Sequence, residues 1–234
     1  MSAPSLTRTA HDSSVRPVPA LKAGDHLDQP TFHERYHAMP PHFRAELIEG
    51  VVVVPSPVGY DHGKTHAMLV GWLNSYCLRT PGVDALDNTS TILGPATEVQ
   101  PDAILISALE DERQAKAVGG YLHGAPEFVV EVSVTTTSQD LGPKKREYER
   151  AGVLEYLVVM PLKPEIKWFR REGDFLMETA PDTRGIYRSL AFPGLWLDSQ
   201  ALLVGDRFGI HQALEQGLAT PEHEAFSARR RPRP

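Results

Sequence analysis

The stretch Phe128-Val129-Val130-Glu131-Val132-Ser133-Val134 limits what this chain can be more than any other segment. Apolar, mostly β-branched residues fill positions of both parities, so it reads as a strand buried on both faces, central in a layered sheet. A carboxylate does not belong there unless something answers it. Buried alone it is costly, so Glu131 must be protonated, paired with a cation or bound to a metal. Asp102 faces the same choice at the head of Pro101-Asp102-Ala103-Ile104-Leu105-Ile106, where Pro101 is acceptable as the first residue of a strand. If the two strands are neighbours, ~4.8 Å apart, the carboxylates converge on one ion. Two carboxylates with water and phosphate oxygens are what Mg²⁺ prefers. The spacing alone serves equally well for a loop cap at Asp102 and an arginine partner for Glu131.

The surrounding elements suit such a sheet. Ala45–Val54 gives two short strands turning at Glu49-Gly50. Asp61–Leu78 carries Leu69, Trp72, Leu73, Tyr76 and Cys77 at helical spacing. Val83–Ile92 is a weaker strand, and Ser138–Ala151 a helix capped by Ser138 or Asp140 and stopped by Gly152. Further strands follow at Glu155–Met160, Ile166–Arg170, Phe175–Glu178 and Tyr187–Leu190. The expected fold class is α/β, a mixed β-sheet flanked by helices, within one domain over residues 30–205. Residues 1–29, rich in Ser, Pro, Ala and His, read as a disordered tail. Residues 206–234 read as a second tail with a short helix and a solvated basic end.

No apolar run approaches the ~20 residues of a membrane helix, and the first thirty residues lack the apolar core of a secretory signal. Cys77 is the one cysteine, so no internal disulfide can form; with the rest, a cytoplasmic location is expected. The net charge of -6 argues against tight, non-specific nucleic-acid binding by the whole surface, though not against a local cationic groove.

Pro101-Asp102 followed by Glu131-Val132-Ser133 resembles the signature of the PD-(D/E)XK nuclease superfamily. The wider pattern is similar to one branch, the Uma-two family of restriction-endonuclease-like proteins. Four further segments match that family in order: Thr31–Tyr36 with Pro40; Ala45–Gly50; Pro55-Ser56-Pro57 with His62; and Asp140–Lys144 with Tyr148, Ala151-Gly152-Val153 and Glu155-Tyr156. The resemblance implies a restriction-endonuclease-like fold and a metal-dependent endonuclease acting on nucleic acid, DNA being the expected form. It implies Mg²⁺, with Mn²⁺ as a substitute, held by Asp102, Glu131 and the backbone carbonyl of Val132. Ser133 stands where the signature has lysine, and the resemblance implies that Lys144 substitutes for it. It also implies that Glu46 completes the acidic cluster. Strand alternation agrees, since Glu46 and Ile48 point one way and Leu47 the other. The Lys144-Lys145-Arg146 run opens a helix, where the macrodipole disfavours cations, so a cation kept there answers a nearby anion or projects into water. Read as a surface residue, Lys144 would contribute little to stability. A homodimer would suit cleavage of two strands. The alternative from another class is a nuclease-like module that binds without cutting.

One motif competes. His33-Glu34-Arg35-Tyr36-His37 fits H-E-x-x-H, the zinc-hydrolase helix. Pro40-Pro41 cuts this helix short and no third ligand is evident, so zinc is not expected at His33 and His37. His62 and His66 repeat the i, i+4 spacing without the glutamate, which points to a structural role.

Overall fold

The computed structural model describes residues 18–230. Residues 1–17 and 231–234, the greater part of the expected disordered tail and the last arginines, lie outside the described residues.

The chain opens with helix α1 (Gln29–His37) and the hairpin β1 (Glu46–Ile48) and β2 (Val51–Val53). Glu49 and Gly50 both take positive φ, 51° and 77°, as a two-residue turn matched to strand twist requires. Helix α2 (Tyr60–Cys77) follows, then β3 (Val83–Asp87), β4 (Thr91–Gly94), β5 (Thr97–Val99) and β6 (Ala103–Ser107). The expected single strand over Val83–Ile92 is two strands in different sheets, because Asn88 at φ 45° turns the chain between them. After β7 (Lys116–Val118) and β8 (Tyr121–His123) comes β9 (Phe128–Val132), the strand that carries Glu131.

The expected helix after β9 is not uniform. It runs as a short turn α3 (Thr137–Gln139), a π-helical turn over Asp140–Lys144, and α4 (Lys145–Ala151), closed by Gly152 at φ 101°. Pro143, which has no N–H to donate, sits inside the π turn, where the regular ladder is already interrupted. Strands β10 (Glu155–Met160), β11 (Glu165–Glu172), β12 (Phe175–Thr179), β13 (Ile186–Arg188) and β14 (Trp196–Asp198) lead to α5 (Ser199–Val204), α6 (Arg207–Leu218) and α7 (Pro221–Arg230).

Two six-stranded sheets carry the fold, ordered β12-β11-β10-β9-β6-β3 and β2-β1-β5-β4-β8-β7. In the first, β9 runs parallel to β10 and antiparallel to β6, which makes it a mixed sheet with Glu131 near its middle. Both faces are buried. Phe128, Val130 and Val132 pack with Leu69, Trp72, Leu73 and Tyr76 of α2, while Val129 packs with Tyr148, Tyr156 and residues of the other sheet. Alternation puts Glu131 on the second face, with α4.

Two expectations about the ends are corrected. Residues 18–29 are not a free tail: Gly24 and Leu27 donate backbone hydrogen bonds to Val52 and Gly50, His26 bridges to Val51, and Leu21 is buried. Backbone pairing with a sheet edge asks nothing of side-chain composition, so a polar stretch can still be ordered. Residues 206–230 form α6 and α7, seated on the core through Ile210, Leu214, Leu218 and Phe226. Arg230 is buried against Ser107 and Glu112 rather than solvated.

Candidate active site

The antiparallel register of β6 and β9 pairs Ala103 with Val130, which sets Asp102, one residue before β6, across from Glu131. Asp102 closes the end of the ladder itself, its Oδ2 accepting the Val132 N–H at 2.6 Å. Its other oxygen lies 3.2 Å from His62 Nε2 in the first turn of α2. One turn further, His66 Nε2 lies 2.9 Å from the Asp102 carbonyl and 2.8 Å from Asp87 Oδ1. The two imidazoles of α2 therefore brace Asp102 through side chain and backbone. Burial pushes the Asp102 carboxyl up, but the His62 hydrogen bond and charge and the Val132 amide outweigh it and leave it below the ordinary carboxylate value. His62 is raised in return, chiefly by its hydrogen bond to Asp102.

Glu131 meets the helical stretch that follows its strand. Lys144 Nζ lies 2.6 Å from Glu131 Oε1, and the Tyr148 hydroxyl donates to the same oxygen at 2.7 Å. Lys144 also donates to Glu46 Oε1 at 3.0 Å, and Glu46 accepts the Gln100 N–H at 2.6 Å across β1 and β5. Asp102, Glu131, Lys144 and Glu46 are thus gathered on one side of the main sheet. Lys144 is buried, so its expected placement on the helix surface is corrected: the anions its position called for are Glu131 and Glu46. Lys145 pairs instead with Glu149, and Arg146 with Glu49.

From sequence, Asp140 is expected only as a helix cap and a family match, not as a site residue. It is buried, accepts from Thr136 Oγ1 at 2.5 Å, and adds to the negative potential at Lys144. Its place four residues before Lys144 was the available signal. Four carboxylates, Glu46, Asp102, Glu131 and Asp140, now surround one lysine. Desolvation raises Glu131 well above its ordinary value; Lys144 opposes the rise and the other three carboxylates add to it. Desolvation works against the Lys144 ammonium, yet Glu131, Glu46 and Asp140 hold it well above its ordinary value. The cluster is short of positive charge.

The competing motif lies elsewhere. α1 ends at His37, with His33 facing Glu98 of β5 and Glu34 exposed. Among the described residues no three His, Cys, Asp or Glu side chains are grouped to hold a metal ion. An ion at Asp102 and Glu131 would therefore take two carboxylates, a backbone carbonyl and water. Those oxygen donors, in a cluster of excess negative charge, fit a hard divalent cation. No helix among the described residues is long and apolar enough to cross a membrane.

Comparison with known proteins agrees with this architecture. A solved structure described as "a putative nuclease belonging to DUF820" from Anabaena variabilis is similar, with a TM-score of 0.57 and 16% identity, over 73% of this chain and 96% of that one. The fold is the restriction-endonuclease-like α/β fold. The model of the Uma2 family, described as "Putative restriction endonuclease", matches residues 32–200, and the chain belongs to that family. No curated protein matches.

Proposed function

We propose that this protein is a metal-dependent endonuclease that hydrolyses phosphodiester bonds, with DNA as its substrate. The observation that carries the reading is the placing of Asp102 and Glu131 across neighbouring strands, with one buried lysine between Glu131 and Glu46. Family membership supports nucleic acid as the substrate class.

Asp102, Glu131 and the Val132 carbonyl would hold Mg²⁺, or Mn²⁺ in its place. When bound, the ion supplies Lewis acidity and lowers the pKa of water. The chain's own groups do the rest. The Val132 amide and His62 keep Asp102 ionised and oriented. Tyr148 and Lys144 both contact Oε1 of Glu131 and so fix the carboxylate in place. Lys144, kept protonated by its carboxylate neighbours, offers its charge to the anionic transition state of the scissile phosphate. Glu46 positions that ammonium. A homodimer would bring two such sites to the two strands of a duplex.

The test is cleavage of plasmid and linear DNA by purified protein with Mg²⁺ or Mn²⁺, against chelator. Metal-dependent cleavage lost in Asp102→Asn is the expected result. One observation favours the second reading, a module that binds without cutting: Glu131 and Lys144 already satisfy each other in a buried pair. Absence of cleavage on every DNA and RNA offered, with nucleic-acid binding retained, would decide for that module.

A further inference from the structure

The histidines of α1 lie across the second sheet from the acidic cluster. β5 makes the separation, because successive side chains of a strand point to opposite faces. Thr97 reaches Glu147 of α4 on one face, and Glu98 reaches α1 on the other. Glu98 is buried, and its oxygens lie 3.1 and 2.9 Å from His33 Nδ1; Gln29 Nε2 donates to it at 2.7 Å. An ionised carboxylate only accepts, so His33 carries a proton on Nδ1. In neutral His33 this leaves Nε2 as a bare lone pair turned away from Glu98. One turn along α1, His37 Nε2 stands 3.2 Å from that atom, and the Tyr121 hydroxyl of β8 stands 2.7 Å from His37 Nε2.

With His33 neutral, three polar atoms meet here with too few protons. If His37 Nε2 carries a hydrogen, it points at one neighbour and leaves the other poorly served. If it does not, it accepts from Tyr121 and faces the lone pair of His33. A cation would accept all three lone pairs at once.

We propose that His33, His37 and the Tyr121 hydroxyl form a binding site for a divalent transition metal that favours imidazole, of which Zn²⁺ is the reference. Two nitrogens each ~2.0–2.1 Å from a tetrahedral zinc are ~3.3 Å apart, close to the separation of the two Nε2 atoms. The Glu98–His33 contact is the arrangement that ligating histidines show, the second ring N–H donating to a carboxylate that fixes tautomer and ring orientation. Imidazole ligands select Zn²⁺, Ni²⁺ or Cu²⁺ over Mg²⁺. The Tyr121 hydroxyl, a phenolic oxygen beside two imidazole nitrogens, is the weakest donor of the three. Glu34, the motif's base, is exposed, and the role of the site is to cross-link α1 to the β7–β8 hairpin. Tyr121 lies 84 residues along the chain from His37, and only the fold brings it near. This site does not depend on the nuclease reading.

The experiment uses untagged full-length protein freed of metal, titrated with Zn²⁺ by calorimetry and with Co²⁺ by absorption, in excess Mg²⁺. One equivalent should bind, with the visible bands of nitrogen-ligated Co²⁺. His37→Ala, which removes an exposed side chain, should abolish binding, and Glu98→Gln should weaken it ~10–100-fold. Tyr121→Phe should weaken it less, and Asp102→Asn should leave it unchanged. No saturable binding by the wild type would reduce the trio to a hydrogen-bonded contact and overturn the site. Binding that survives His37→Ala would place the metal elsewhere and overturn it equally.

Discussion

Lys144 lies 2.6 Å from Glu131, and neither side chain is more than 6% exposed. Such a pair contributes little beyond apolar residues of the same size, because desolvation offsets its attraction, but removing one partner strands the other. Lys144→Ala is therefore expected to lower stability by about 3–5 kcal/mol in urea denaturation. Lys145→Ala, which breaks a more exposed pair with Glu149, should cost about 1 kcal/mol at most. Combining Lys144→Met with Glu131→Gln should recover much of the loss, since it removes both charges. Activity of any Lys144 variant is interpretable only where that variant is shown to be folded.

Metal removal should leave the fold intact. Asp102 is tied to the Val132 amide and His62, and Glu131 to Lys144 and Tyr148, so protein groups already answer both carboxylates. Chelator should leave the circular-dichroism spectrum of the protein unchanged. Added Mg²⁺ should raise Tm as an ion that binds only the folded state does, by about 2.7 kcal/mol of stabilisation at a hundredfold excess over Kd. Asp102→Asn should show no such rise. Unfolding on chelation in His37→Ala as well as in the wild type would mean that the Asp102–Glu131 site is structural.

How far this site could be read in advance depends on which kind of information placed each residue. Asp102 and Glu131 stood out because a carboxylate in an apolar strand has few excuses, and that argument needs no three-dimensional knowledge. Glu46 followed from alternation along a short strand. Lys144 came from a resemblance, and its burial was not foreseen, because the π turn that carries it departs from the regular helical period. The brace from His62 and His66 depends on α2 crossing the end of β6, which no local pattern announces. Of the two C-terminal helices, only one short helix in a tail is expected from sequence, although the pattern supports more. Ile210, Ala213, Leu214, Gly217 and Leu218 have a plain helical spacing after the cap at Asp206, outweighed by the arginines beyond them.

Acid should loosen the end of the chain. His223 on α7 is buried between Thr80, Ser227 and the Leu218 carbonyl, and burial, with Arg79 nearby, holds its pKa below the ordinary 6.5. The unfolded chain therefore binds more protons than the folded one between the lowered value and 6.5, so this stability is present above pH 6.5 and lost as the pH falls through that window. Urea midpoints measured across the window should decline on acidification, and His223→Gln should flatten the slope. An unchanged slope would assign the acid sensitivity to other groups.

The packing of α6 against β14 can be tested with two glycines. Gly217 lies where α6 crosses the β13–β14 hairpin, and a Cβ there would come within 2.2 Å of the Gly194 carbonyl and 2.7 Å of the Trp196 ring. Neither neighbour yields easily: one is backbone, and Trp196 is held by the Trp72 indole donating to its carbonyl and by Arg188 stacked on its ring. Gly217→Ala should cost about 1–3 kcal/mol or more through overpacking, despite the better helix propensity of alanine. Gly71 is the control, since it is exposed within α2 and a Cβ there meets nothing within 4 Å. Gly71→Ala should stabilise by up to about 1 kcal/mol, the ordinary helical difference. If residues 206–230 were a dispensable tail, Gly217→Ala would leave the main unfolding transition where it was. A lowered midpoint with unchanged m-value would show instead that these helices unfold together with the sheet that carries Asp102 and Glu131.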